Sequence, residues 1–250
     1  MHKTIMVMAL VILGIFGVGC KMGMGNTNDI NSLVSHIDTS TVALMMENTE
    51  NHSFRVYCTG VWVSEREILT AHHCVQAAAN IAAGGDGNEE VDVDVMGAKI
   101  YFIQKDEVMG YKMDPSALHW SKVIADDGEH DLALVEMMGG SVLDHEVAVL
   151  AKVVPENGGK IHIVGHVKGL FWTYIEGVVA GYRVSLYPVD KSGPFLQLSA
   201  PVFFGNSGGG VFNDDGELVG IVSFMMSAPL TNFAIPVVSI RNFIREAHKK

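Results

Sequence analysis

The sequence predicts an all-β fold, with short strands in two groups and a single helix at the C-terminus. Three observations point there. Among 250 residues, 27 are glycine and only 18% are charged, a composition that suits a turn-rich β chain better than a helical bundle. Short apolar stretches are separated by turn clusters such as Glu156-Asn157-Gly158-Gly159 and Asn213-Asp214-Asp215-Gly216. Only the tail changes period: Val238, Ile240, Phe243, Ile244 and Ala247 make an apolar face at helical spacing, with Ser239 read as the cap.

Taken in order, the candidate strands of the first half are 42–46, 54–63, 68–70, 91–96, 99–103 and 132–137. Residues 71–79 are rich in alanine and read as one short helical turn. Residues 84–88 form a loop, 111–120 carry no clear pattern, and 126–130 read as a polar turn. The second half offers strands at 147–153, 160–164, 170–175, 177–185, 209–212, 218–224 and 232–235. Many short strands in two groups suit a sandwich or a barrel, and the pattern alone does not choose between them. No period is long enough for a solenoid or propeller.

The N-terminus reads as a targeting segment, residues 1–20, followed by a Gly- and Asn-rich tether at 21–36. His2-Lys3 precedes an apolar run from Ile5 to Val18 that is too short for a membrane span and has the size of a signal-peptide core. The run ends in Gly17-Val18-Gly19-Cys20, which resembles a bacterial lipoprotein signal, with Gly17 where leucine is usual. That resemblance implies lipidation of Cys20, a lipid anchor to a membrane, and a location facing the periplasm or the cell exterior. An ordinary secretory signal is the alternative. Of three cysteines, Cys58 and Cys74 then remain, most simply as a disulfide in an exported protein, otherwise as two buried thiols. The net charge of −11, without a basic run, argues against a nucleic-acid partner.

Three segments carry chemistry: Leu69-Thr70-Ala71-His72-His73-Cys74, His130-Asp131-Leu132-Ala133-Leu134, and Gly205-Asn206-Ser207-Gly208-Gly209-Gly210. A serine hydroxyl is a poor nucleophile without a base, and imidazole suits that role near neutral pH. The base in turn needs a carboxylate to fix its tautomer. Glycines beside a serine permit a tight turn and let backbone amides converge on a developing oxyanion. Taken alone, Gly-Asn-Ser-Gly-Gly reads equally as a hairpin loop.

In that order and context these segments resemble the trypsin/chymotrypsin-like serine proteases, in their bacterial HtrA-like and Glu-endopeptidase-like branches. Thr70-Ala71-His72-His73-Cys74 is similar to the family's Thr-Ala-x-His-Cys, Asp131-Leu132-Ala133-Leu134 to its Asp-[Ile/Leu]-Ala-Leu, and Gly205-Asn206-Ser207-Gly208-Gly209 to its bacterial serine motif. Val164-Gly165-His166 with Gly169-Leu170, then Gly177-Val178-Val179, resembles its second-barrel opening, and Phe233-Ala234-Ile235-Pro236 its closing segment. The resemblance covers residues 40–245. It implies two six-stranded antiparallel Greek-key barrels with a C-terminal helix: a protease domain at 37–250, with barrels at about 37–145 and 146–238 and a helix at 239–250, and no peptide-binding (PDZ) module.

The same resemblance implies a catalytic triad of His73, Asp131 and Ser207, and an oxyanion hole from the amides of Gly205 and Ser207. It implies a Cys58–Cys74 disulfide and substrate contacts at Pro201, Val202, Phe203, Ser223, Phe224 and Met225. With no acid in residues 200–204, an apolar or small side chain is expected in the specificity pocket, and a Glu preference only if His166 or another histidine reaches it. Asn206, where many animal relatives have Asp, removes the expectation of activation by a freed N-terminus. His72 is read as packing, His130 as loop surface, and His162 and His166 as lying outside the pocket. No metal-ligand spacing is present, so neither metal nor cofactor is expected. The expected activity is that of an exported serine endopeptidase acting on protein or peptide substrates. The competing readings are a non-catalytic or partner-activated binding protein on the same scaffold, and an adhesive lipoprotein.

Overall fold

The computed structural model describes residues 27–48, 51–85, 93–109, 112–113, 115–186, 191–226 and 231–249. Residues 1–20, with Cys20, lie outside them. Helix α1 (Thr27–Thr39) precedes β1 (Thr41–Asn48), β2 (Ser53–Trp62), β3 (Glu67–Thr70), α2 (His72–Ala82) and β4 (Lys99–Ile103). A two-stranded ribbon, β5 (Val108–Met109) and β6 (Lys112–Met113), leads to β7 (His119–Asp127) and β8 (Leu132–Met137). These strands close a six-stranded antiparallel barrel in the order β1-β2-β3-β8-β7-β4. The chain then forms β9 (Lys160–Gly165), β10 (Thr173–Leu186), β11 (Lys191–Ser199), β12 (Gly210–Phe212), β13 (Leu218–Met225) and β14 (Asn232–Pro236), which close a second barrel as β10-β11-β14-β13-β12-β9. Helix α3 (Val237–Ala247) follows. The double barrel with a C-terminal helix is the fold that the motifs implied.

Each barrel has its own apolar filling. Val42, Leu44, Ile68, Phe102 and Val135 are buried in the first, and Ile161, Ile163, Leu196, Val211 and Val219 in the second. A third cluster joins them: Val61, Leu69 and Leu134 from one barrel meet Val164, Phe212 and Ile221 from the other, with Ile240 and Phe243 of α3 and Ile37 of α1 packed on the same mass. This seam matters for function, because the predicted triad draws on both barrels.

Several elements differ from the sequence expectation for physical reasons. Within the segment read as a tether, residues from Thr27 onward are helical. Asp38 near the end of α1 pairs with Lys105, and its carbonyl accepts a hydrogen bond from Trp172 Nε1 at 3.2 Å. The alanine-rich stretch after His73 is an 11-residue helix rather than one turn, as its high helix propensity allows. Residues 93–96 form no strand.

Residues 147–153 make only one isolated bridge, Leu150 with Leu218, because their backbone bonds are split between the barrels. Ala148 N donates to Trp62 O, and Ala151 N donates to Leu218 O. Strand β11 hides behind Gly193-Pro194, a pair that reads as a turn, yet the ladder with β10 continues on both sides of it. The two stretches at 170–175 and 177–185 are one long strand. Helix α3 is capped at Pro236, not Ser239, because β14 still pairs Pro236 with Gly220 as the helix begins.

Phe212 is fully buried in the seam cluster. Phe212→Ala is expected to cost about 3–5 kcal/mol of stability, measured as a lowered midpoint in chemical denaturation with an unchanged fold by circular dichroism.

Candidate active site

Strand β3 ends at Thr70, and Ala71 turns the chain in extended conformation (φ −80°, ψ 144°) into α2. His73 therefore sits in the first turn of that helix, next to the first barrel's β8. Asp131 precedes β8 in the left-handed region, φ 54°, which Asp tolerates better than most residues. Its carboxylate meets His73 three times: Oδ1 accepts from the His73 backbone N–H at 3.0 Å, and Oδ1 and Oδ2 lie 2.9 and 3.0 Å from His73 Nδ1. Ser223 Oγ donates to Oδ2. Burial pushes the Asp131 carboxyl up, but its hydrogen bond and charge interaction with His73, helped by Ser223, outweigh burial and hold it below the ordinary carboxylate range. An ionised Asp131 assigns the imidazole proton to Nδ1 and leaves Nε2 as the free lone pair.

Ser207 comes from the second barrel, in the loop between β11 and β12. Gly205 (φ 98°) and Gly208 (φ 79°) both lie where side chains are strained, and a Cβ on either would collide with backbone: His166 O for Gly205, Thr59 O for Gly208. Three carbonyls around the serine are held from outside the loop. Lys168 N donates to Phe204 O at 3.0 Å, Thr59 Oγ1 to Gly205 O at 2.7 Å, and Thr59 N to Ser207 O at 2.8 Å. Thr70 Oγ1 in turn donates to Thr59 O at 2.8 Å. With those carbonyls drawn away, the amides of Gly205 and Ser207 have no hydrogen-bond acceptor among the described residues, whereas those of Asn206, Gly208 and Gly209 do.

A cleft of about 830 Å3 runs between the barrels, and His73, Asp131, Gly205 and Ser207 all line it. Of the sequence-predicted substrate contacts, Val202, Phe203, Ser223, Phe224 and Met225 line it too, while Pro201 is exposed and lies outside the lining. Ser223 has a double position, with its backbone at the cleft and its hydroxyl on Asp131. Phe224 stacks on Phe233 at 5.0 Å, so its ring belongs partly to the core. On the opposite wall stand Met46, Arg55 and Tyr57 of the β1–β2 hairpin, with Gln76 of α2, none of which sequence patterning singled out. Thr59 was missed as well. It lies one residue after Cys58, and only its tertiary contacts reveal its role.

The Cys58–Cys74 disulfide is formed. Cys58, His73 and Cys74 are also the one His/Cys/acid grouping of metal-site size among the described residues. Two of its atoms are consumed in the disulfide and the imidazole is held by Asp131, so it offers no donor set.

The other histidines have local partners. His72, read as a packing residue, reaches the cleft and also holds Asp126, Nδ1 to Oδ1 at 2.5 Å. That hydrogen bond raises its pKa above the ordinary histidine value. His130 pairs with Asp127, and His162 bridges Tyr174 and Asp214. His166 is fully buried, its pKa pushed down to about 3 by desolvation, and its Nδ1 accepts from Trp172 N–H. It does not line the cleft.

A fold of two barrels with a His–Asp pair facing a serine loop across a cleft defines the class of chymotrypsin-like peptidases. A family model described as a trypsin-like peptidase domain matches residues 58–221, more than half of the chain, and the chain belongs to that family. A Staphylococcus aureus protein named "Serine protease HtrA-like" (strain bovine RF122 / ET3-1) is 30% identical over 175 residues, covering 65% of this chain and 21% of the relative. Its counterpart in strain MRSA252 is 24% identical over 271 residues, covering 99% of this chain and 33% of the relative. The chain thus spans a third or less of the length of these curated relatives. The crystal structure of the serine endoprotease from Yersinia pestis matches with a TM-score of 0.63 at 19% identity, over 88% of this chain and 66% of the other, a likeness of fold.

The two carboxylate–imidazole pairs have opposite pH signatures. Asp131 has a depressed folded-state pKa, so its stabilisation is present above about pH 4 and is lost as pH falls through the folded value. His72 has a raised folded-state pKa, so its stabilisation is complete below about pH 6.5 and is lost as pH rises through the folded value. Denaturation of Asp131→Asn and His72→Gln across pH is expected to show the first variant's deficit shrinking toward acid and the second's shrinking toward alkali. Parallel curves for the two would contradict this assignment.

Proposed function

We propose that the chain is an exported serine endopeptidase that hydrolyses peptide bonds through an acyl-enzyme on Ser207. One observation carries the reading: an imidazole fixed by a largely buried carboxylate lines the same cleft as a serine whose own amide, with that of Gly205, lacks an acceptor among the described residues. His73 Nε2 takes the Ser207 proton as Oγ attacks the scissile carbonyl, and the Gly205 and Ser207 amides stabilise the oxyanion. The tetrahedral adduct collapses when His73 returns that proton to the leaving amine, which departs with the C-terminal fragment. Water, deprotonated by the same imidazole, then attacks the ester and releases the N-terminal fragment and the serine.

Val202, Val222 and Met225, with Asp131 as the one carboxylate in the lining, favour an apolar substrate side chain over a basic one. The burial of His166 removes that residue as a reader of glutamate. Export is supported by the apolar N-terminal run and by the disulfide. Lipidation at Cys20 would make the protein a membrane-anchored lipoprotein. No helix among the described residues is long and apolar enough to cross a membrane.

The full chain is expected to react with a fluorescent fluorophosphonate and to cleave peptides after apolar residues, and Ser207→Ala is expected to lose the label and about 10^4-fold or more of the turnover. Folded protein that takes no label would sink the catalytic reading in favour of a binding scaffold. Thr59→Val removes the donor on Gly205 O and leaves that carbonyl unpaired, a loss of about 1–3 kcal/mol. It is expected to lower both thermal stability and the fluorophosphonate labelling rate while the His73–Asp131 pair persists by NMR.

A further inference from the structure

The protein is acidic overall, at −11, yet its cleft is not. Among the described residues Asp131 is the one carboxylate in the lining, and its oxygens are occupied by His73 and Ser223. Two cations stand at the cleft without a carboxylate. Arg55 is exposed on β2, lines the cleft, and donates through Nη2 to Met46 Sδ at 3.6 Å. Lys168 is exposed in the 3-10 turn Val167–Gly169, its ammonium 4.5 Å from the centre of the Phe203 ring that lines the cleft. Lys105, Lys122, Lys160, Arg245 and Lys249 have acidic partners, whereas among the described residues Arg55 and Lys168 have none, and of the cations without such a partner Arg55 lines the cleft and Lys168 stands over a ring that does.

The two cations are carried by neighbouring elements. The turn carrying Lys168 packs against β2, which carries Arg55. The second-barrel edge Ser223–Met225 lines the cleft as well. If the acyl half of the substrate lies along that edge, as the peptidase reading has it, the leaving half passes the Cys58–Cys74 bridge and Tyr57 and ends between Arg55 and Lys168.

We propose that the cleft selects peptides with an acidic side chain two or three residues beyond the scissile bond, read by Arg55 and Lys168. This rests on the peptidase reading for the direction of the substrate, and it adds a second determinant to the apolar pocket. Arg55 offers a planar fork suited to a carboxylate, and Lys168 a point charge. Both are solvent-exposed, so each contributes a few-fold preference rather than orders of magnitude, and added salt weakens both.

The test uses the full chain and quenched-fluorescent peptides that share an apolar residue before the scissile bond and differ only in Glu, Gln or Lys at the second and third positions after it. Glu peptides are expected to exceed Lys peptides by about tenfold in kcat/KM, carried by KM, with the ratio shrinking in high salt. Arg55→Glu is expected to reverse the order, Arg55→Lys to keep it, and Lys168→Gln to reduce it about threefold. A Glu/Lys ratio near one in the parent, or one unchanged in a cleaving Arg55→Glu variant, would overturn the proposal.

Anisotropy binding of the same peptides, dye-labelled, to Ser207→Ala reads the preference without turnover. Acid-selective binding without cleavage by the parent would overturn the peptidase reading and keep the acidic selection. Cleavage without charge discrimination would do the reverse.

Discussion

The chemistry is divided between two barrels, so everything rests on the join that holds them in register, and Thr59 is its centre. His73 and Asp131 belong to the first barrel, and Ser207 to the second. Thr59, on β2, reaches across with its backbone N–H to Ser207 O and with its hydroxyl to Gly205 O, while Thr70 secures Thr59 from behind. The apolar seam of Leu69, Leu134, Val164 and Phe212 supplies the cohesion, but it is non-directional. The three hydrogen bonds give it an address. They fix the backbone on both sides of Ser207, while the peptide unit that carries the Gly205 N–H is anchored at its own carbonyl, Phe204 O, by Lys168 N.

A second feature of the join is covalent. Cys58 immediately precedes Thr59, and Cys74 immediately follows His73. The disulfide therefore couples the residue that grips the serine loop to the residue proposed as base. A displacement of α2 cannot carry His73 away without pulling on the strand that orients Ser207. The disulfide thus adds to Asp131, whose carboxylate accepts from the His73 N–H, in fixing a helix whose own cap, Ala71, makes no side-chain hydrogen bond.

Much of this was legible in the sequence, and the gaps have physical causes. The His, Asp and Ser segments could be read because each needs a particular local backbone: a strand end entering a helix, a turn before a strand, and glycines with positive φ around a serine. Strands such as β8 and β13 could be read from their apolar runs. Strand β11 could not, since Gly193-Pro194 interrupts it and only its two neighbours reveal it as a strand. Residues 147–153 look like a strand but share their hydrogen bonds between barrels. Thr59, Arg55 and Lys168 carry no motif at all. Their positions at the cleft come from long-range pairing, and Thr59 is 146 residues from the carbonyl it binds.

The division of the proposed triad between the barrels has a consequence for the order in which the site forms. Synthesis proceeds from the N-terminus, and domains tend to fold as they emerge. The first barrel can therefore assemble with His73 already seated on Asp131 while the serine loop has yet to emerge. At that stage the chain holds a base with nothing to activate. Ser207 gains its base only when β12, β13 and β14 close the second barrel against Thr59, by which point nearly the whole polypeptide has been made. In the proposed mechanism the nucleophile is therefore the last part of the site to be put in place.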